Sequence, residues 1–252
     1  MTRPSSVVID KNALKHNFQR IKEIAPHSKV MAIIKADAYG HGLIRVAETL
    51  TQADAFGVAC LEEAEQLRAA SIDQAIVLLE GPHKSIDLSR IIELKLDIVL
   101  HNEAQLQSLE EAHLAEPIQV WLKMDTGMHR LGFPKDVIGT VLERVSACKN
   151  IKQPIRLMTH LATANEKDNP LTQQQLKLFD ELCGDFSAEK TIANSAAVIS
   201  YPDTHCDWIR PGLMLYGVSP LVDSYAGDHG LKPVMTLESE IISVQHLQKG
   251  EP

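Results

Sequence analysis

An α/β chain closed as a (β/α)8 barrel is the fold this sequence predicts, on two observations. Short β-branched apolar runs recur eight times, and a stretch of helical period or a glycine-containing turn follows each. Alternation of that kind implies parallel strands joined by crossover helices. Eight such units in about 200 residues fit a TIM-type barrel near the lower end of its size range. The alternative, an open doubly wound sheet, lacks the GxGxxG that a dinucleotide site would place after its first strand.

The elements follow in order. VVID (7–10) is a short extended run, and Asp10 stands where an N-cap would satisfy the first free amides of a helix. Leu14, Phe18, Ile21 and Ala25 give that helix its apolar stripe, and Pro26 ends it. The barrel runs begin near Val30, Ala55, Ala75, Asp97, Ile118, Ile155, Thr191 and Trp208. Helices are expected over Glu62–Ala70, Glu103–Ala112, Asp136–Ala147 and Thr172–Leu182. After Tyr216 the texture changes to the loop-like SPLVDSYAGDHGLKP, followed by VMTLESEIISVQHLQ, which alternates as a half-buried strand would. The expected organisation is a strand over 1–10 that pairs with a C-terminal β-domain, a barrel over 11–220, and the opening of an incomplete β-rich domain over 221–252.

Composition excludes several classes. A net charge of −8 with no Lys/Arg cluster argues against nucleic-acid binding. Cys60, Cys148, Cys183 and Cys206 stand far apart without a CxxC or a histidine at metal spacing, so they read as reduced, mostly buried thiols, with neither a disulfide framework nor a metal site. No apolar block reaches signal-peptide or membrane-spanning length, and a soluble cytoplasmic protein is expected.

Barrel chemistry sits at the carboxyl ends of the strands. The first run, VMAIIKADAYGHG (30–42), ends on Lys35. Burial there penalises a charged amine, and a lysine that traps carbonyl groups reacts as the free amine. Taken alone, Lys35 could equally snorkel from a strand end. WLKMDTGMHRLG (121–132) follows the fifth run, THLATAN (159–165) the sixth, TIANSAA (191–197) the seventh and IRPGLMLYG (209–217) the eighth. By themselves Ser195 reads as a helix N-cap, Tyr39 as a rim aromatic, His160 as a structural histidine, Arg130 as a solvated arginine, and Arg210 as a surface ion pair with Asp203 or Asp207.

These five segments, in this order at strand ends, resemble the motifs of the alanine racemases, and the resemblance runs from Val7 to the tail. It implies that Lys35 carries pyridoxal 5'-phosphate as an aldimine and acts as base on one face of the substrate. Tyr39, Ser195 and the backbone amides of Gly212 and Leu213 would hold the phosphate, with Asn194 and Tyr216 in the same cofactor-binding set. Arg210 would face the pyridine nitrogen and keep the ring a weak electron sink, which favours racemisation over transamination. His160 would support Arg210, and Arg130 would reach the cofactor phenolic oxygen and the substrate carboxylate. Lys123, on the same strand face as Asp125 and near Arg130, would be carbamylated as in several relatives.

The resemblance further implies interconversion of L- and D-alanine for peptidoglycan by a homodimer, with no nucleic-acid or membrane partner. The family's second base, a tyrosine of the partner subunit's C-terminal domain, has no counterpart before Pro252. The expectation is therefore a chain that binds the cofactor and racemises poorly. A non-catalytic, single-domain pyridoxal-phosphate carrier is the alternative; a decarboxylase of the same barrel type is disfavoured by Arg210, and a metal-dependent hydrolase by the lack of converging ligands.

Overall fold

The computed structural model describes residues 4–85, 87–167 and 169–251. Its elements are β1 (Ser5–Ile9), α1 (Lys11–Ile24), β2 (Lys29–Ile33), the helical turn α2 (Lys35–Gly40), α3 (Leu43–Thr49), β3 (Ala55–Val58), α4 (Leu61–Ala69), β4 (Ala75–Leu78) and α5 (Asp87–Glu93). The chain continues through β5 (Leu96–Leu100), α6 (Glu103–Glu111), β6 (Ile118–Lys123), α7 (Ile138–Ala147), β7 (Ile151–Met158), α8 (Pro170–Cys183), β8 (Lys190–Asn194), α9 (Ser195–Ser200), β9 (Trp208–Arg210) and β10 (Met235–Ser239). Strands β2 to β9 pair in parallel in chain order, and β9 pairs back onto β2 to close the barrel.

Local chemistry accounts for the elements. Asp10 caps α1 by accepting the Asn12 and Ala13 amides, and all four stripe residues of that helix are buried. Inside the barrel, Met31, Ile33, Ala55, Val77, Val99, Trp121, Met158 and Trp208 form one core, while the alternate residues pack outward under the helices. Trp121 and Trp208 meet edge to face at 5.3 Å. Beneath them Arg156 stacks on both indoles and pairs with Asp97 and Glu189 at 2.8 Å each, while the indole N–H groups donate to the same two carboxylates. This network closes the amino end of the barrel, so open space is left at the carboxyl end.

Three expectations need correction. The sixth run starts at Ile151 rather than near Ile155: Pro154 reads as a strand breaker, but the β6–β7 ladder shifts register between Gln119 and Trp121 and so accommodates a residue without an amide proton. The tail strand is shorter than its alternation implies and is exposed on both faces; among the described residues no second layer packs against it, and β10 pairs with β1 alone, antiparallel from Ser5↔Ser239 to Ile9↔Met235. Of the four cysteines only Cys183 is buried, the others being half-buried. Among the described residues, no helix is long and apolar enough to cross a membrane.

Candidate active site

A cavity of about 550 Å³ opens at the carboxyl ends of the strands, with Lys35, Tyr39, Lys123, Arg130, His160, Asn194, Ser195, Arg210, Gly212 and Leu213 on its wall. Ten of the eleven residues singled out from the sequence thus meet in one place. Tyr216 does not line the cavity; it lies buried behind it, donating its hydroxyl to the Ile33 carbonyl at 3.0 Å.

Lys35 leaves β2 and enters α2, which is no ordinary helix. Ala36, Asp37, Ala38 and Tyr39 all have φ between 51° and 54° and ψ between 36° and 56°, four successive non-glycine residues in the left-handed region. Each such residue costs roughly 1–2 kcal/mol, so the surroundings must hold the turn. Asp37 Oδ1 accepts the Leu43 amide at 2.7 Å, buried Glu63 accepts the amides of Asp37 and Ala59, and His41 Nδ1 donates to the Ala38 and Tyr39 carbonyls. Tyr216 stacks on both Tyr39 and His41, with ring centroids 4.9 and 4.5 Å apart. The turn carries Tyr39 across to Gly212, where an added Cβ would lie 2.7 Å from its hydroxyl. Any larger residue there would have to displace the Tyr39 hydroxyl.

Ser195 serves as an acceptor, taking the Gly212 amide at 2.8 Å and the Met214 amide at 3.4 Å; Asn194 is the residue that caps α9, through the Ala197 amide. The N-cap reading of Ser195 therefore moves one residue back.

Arg210 is 5 % exposed and makes no ion pair among the described residues. The surface pairing with Asp203 or Asp207 is thereby overturned: strand alternation turns the guanidinium into the barrel mouth. Its partners are the Thr191 hydroxyl and the Thr159 carbonyl at 2.6 Å each, the Ile192 carbonyl at 3.2 Å and His160 Nδ1 at 3.4 Å. Burial lowers the Arg210 pKa to about 10, still cationic at neutral pH. Burial first, then the charges of Arg210, Lys123 and Arg130, hold His160 well below the ordinary histidine range, so its neutral ring can accept from Arg210.

Lys123 is 8 % exposed, and burial together with Arg210, Arg130 and Lys35 lowers its pKa to about 8. Asp125, which alternation had placed beside Lys123, is drawn instead into the following turn, where one carboxylate oxygen accepts the amides of Gly127, Met128 and His129. Thr191, Glu80 and Asn165 are positions at the site that the motifs did not single out; Thr191 stood inside a quoted segment but read as a strand residue.

An eight-stranded parallel barrel with its amino end sealed and its polar side chains gathered at the carboxyl end has the layout of the barrel enzymes. Within that class, the family model for the alanine racemase N-terminal domain matches residues 9–220, and the chain belongs to this family. It is 48% identical over 244 residues to the alanine racemase of Shewanella woodyi, covering 97% of this chain and 68% of that protein. It is 47% identical over 249 residues to the biosynthetic alanine racemase of Escherichia coli K12, covering 98% and 69%. Among solved structures, the biosynthetic alanine racemase of Pseudomonas aeruginosa superposes with a TM-score of 0.90 at 41% identity, over 94% of this chain and 66% of that one. The Acinetobacter baumannii alanine racemase does so with a TM-score of 0.90 at 37% identity, over 99% and 70%. The chain thus spans about two thirds of the length of these relatives.

Proposed function

We propose that this chain is the cofactor-binding barrel of an alanine racemase, a cytoplasmic homodimeric enzyme that interconverts L- and D-alanine for peptidoglycan. The observation that carries the reading is the pairing, in one cavity, of Lys35 at the end of the first barrel strand with Arg210, a buried guanidinium that has no carboxylate partner among the described residues. When bound, pyridoxal phosphate supplies a carbonyl that a lysine amine can trap and a ring that withdraws electrons from the substrate's α-carbon.

The cavity fits that group. The close approach of Tyr39 to Gly212 makes a cradle in which a Cβ would meet the Tyr39 hydroxyl, and the Tyr39 and Ser195 hydroxyls and the Leu213 amide are the donors a phosphate needs there, the Gly212 amide being given to Ser195. Lys35 would hold the aldehyde end of that group, and its amine, when free, would take or return the α-proton on its own face. Arg210 would set its positive charge against the ring nitrogen, which would disfavour protonation of that nitrogen. Arg130 orients the substrate carboxylate. Lys123 carries a carbamate: burial and neighbouring cations favour its free amine, the form that adds carbon dioxide, and the product's negative charge would face Arg130. Isotope-labelled bicarbonate should give a carbamate carbon resonance that Lys123→Met abolishes; a wild-type chain without one contradicts the assignment.

Lys35 serves one face only, so the chain is expected to exchange the α-proton of one alanine enantiomer with deuterated water faster than the other enantiomer appears. The check is mass spectrometry combined with chiral chromatography after incubation with pyridoxal phosphate. A chain that holds the cofactor but exchanges no α-proton would be a carrier, not a racemase barrel.

A further inference from the structure

The loops after β6 and β7 carry Arg130 and His160, and one buried carboxamide joins them. Gln175, in the middle of α8, is 0 % exposed. Its Oε1 accepts the Ala162 amide at 2.9 Å, and its Nε2 donates to Thr126 Oγ1 at 3.2 Å and to the His160 carbonyl at 3.1 Å. The amide orientation is settled by these partners, since only an NH₂ can serve a carbonyl and only an oxygen can serve an amide proton.

Proton directions beyond it follow in turn. Thr159 Oγ1 donates to the Met124 carbonyl at 3.0 Å, so in its 2.8 Å contact with Thr126 it accepts and Thr126 donates. A one-way chain runs from Gln175 through Thr126 and Thr159 to Met124, the residue after Lys123. The backbone of Thr159 in turn supplies the carbonyl that takes Arg210 Nη2 at 2.6 Å.

Every bond of the Gln175 side chain goes to the two loops. Packing α8 against the barrel does not require it: the same buried stripe carries Thr172, Phe179 and Cys183, and an apolar residue would satisfy the helix without any desolvated amide. We propose that Gln175 is a positioning residue, whose carboxamide sets the loop bearing Arg130 against the segment bearing His160 and thereby the seat of Arg210. The inference rests on the reading that this cavity holds pyridoxal phosphate.

The test uses the 252-residue chain with added pyridoxal phosphate. Gln175→Met keeps the length and removes all three bonds; Gln175→Glu keeps the shape but sets an acceptor against the His160 carbonyl; Thr126→Val removes the hydroxyl that takes the first link and gives the second, leaving the other two Gln175 bonds in place. Three quantities are read: the cofactor dissociation constant, the pH at which the lysine-bound visible band titrates, and the thermal midpoint. Both Gln175 variants should weaken cofactor binding about tenfold and move the band's titration by about half a pH unit or more. Thr126→Val should move both quantities in the same direction by less.

A packing role alone would lower the thermal midpoint and leave affinity and titration unchanged, which overturns the proposal. Where the Gln175 variants do not fold, Thr126→Val decides by the same two readouts. A wild-type chain with no visible band overturns the cofactor reading and this inference with it; a wild-type band that the variants leave unaltered overturns this inference alone.

Discussion

As a free amine, Lys123 adds a buried cation to a cavity wall that already carries Lys35, Arg130 and Arg210 against the one carboxylate, among the described residues, of Glu80. Such uncompensated charge destabilises a fold. For Lys123 the sign is definite. Its folded pKa of about 8 lies below the ordinary 10.5, so the unfolded chain binds more protons between those values. Stability should therefore rise with pH from about 8 to about 10.5, and below 8 the penalty is fully present. Denaturant melts of the chain without cofactor, in buffer freed of carbon dioxide so that Lys123 is a free amine, should show that rise, and Lys123→Met should abolish it while adding about 2–3 kcal/mol at neutral pH. Gly212→Ala probes the cradle: the new methyl would push the Tyr39 hydroxyl aside, and affinity for pyridoxal phosphate should fall about tenfold. Unchanged affinity by titration would remove Tyr39 and Gly212 from the phosphate site.

At the scale of elements, α2 carries the strain. Its left-handed turn was not legible: alternation and turn residues pointed to a glycine-containing turn after Lys35, and Ala36, Ala38 and Tyr39 are residue types that avoid φ near +54°. The conformation is imposed by Glu63, Asp37 and the Tyr216 stack, contacts distant from one another in sequence. Ala36→Gly, at an exposed position, should relieve the strain and raise stability by about 0.5–1 kcal/mol. A lower thermal midpoint would show that the turn is not strained at Ala36. By contrast the barrel strands other than β7, where Pro154 masks the start, are legible to within a residue at their starts, because hydrophobic runs buried on both faces leave a plain signature. Gln175 had a signal too, a glutamine in register with Thr172, Phe179 and Cys183 on one helical face, but periodicity alone cannot say what a buried amide binds.

Across the whole molecule the two ends of the barrel do different work. The amino end is sealed by Arg156 between Asp97 and Glu189, and the carboxyl end holds the cavity. Arg156→Met would leave Asp97 without its cation, while Glu189 keeps Lys29, and should cost about 2–4 kcal/mol, yet leave cofactor binding intact, as calorimetry and titration on one preparation can check. Motif order located the cavity residues because short strands bring each strand end to one rim. It could not foresee the barrel floor, where Asp97, Arg156 and Glu189 lie in segments that carried no motif. The central claim is that Lys35 holds pyridoxal phosphate, and borohydride reduction of the loaded chain followed by peptide mapping tests it most directly. A reduced pyridoxyl group on Lys35, with the visible band lost in Lys35→Ala, is the predicted result. A label on Lys123 or on surface lysines, or a band that survives Lys35→Ala, would contradict it.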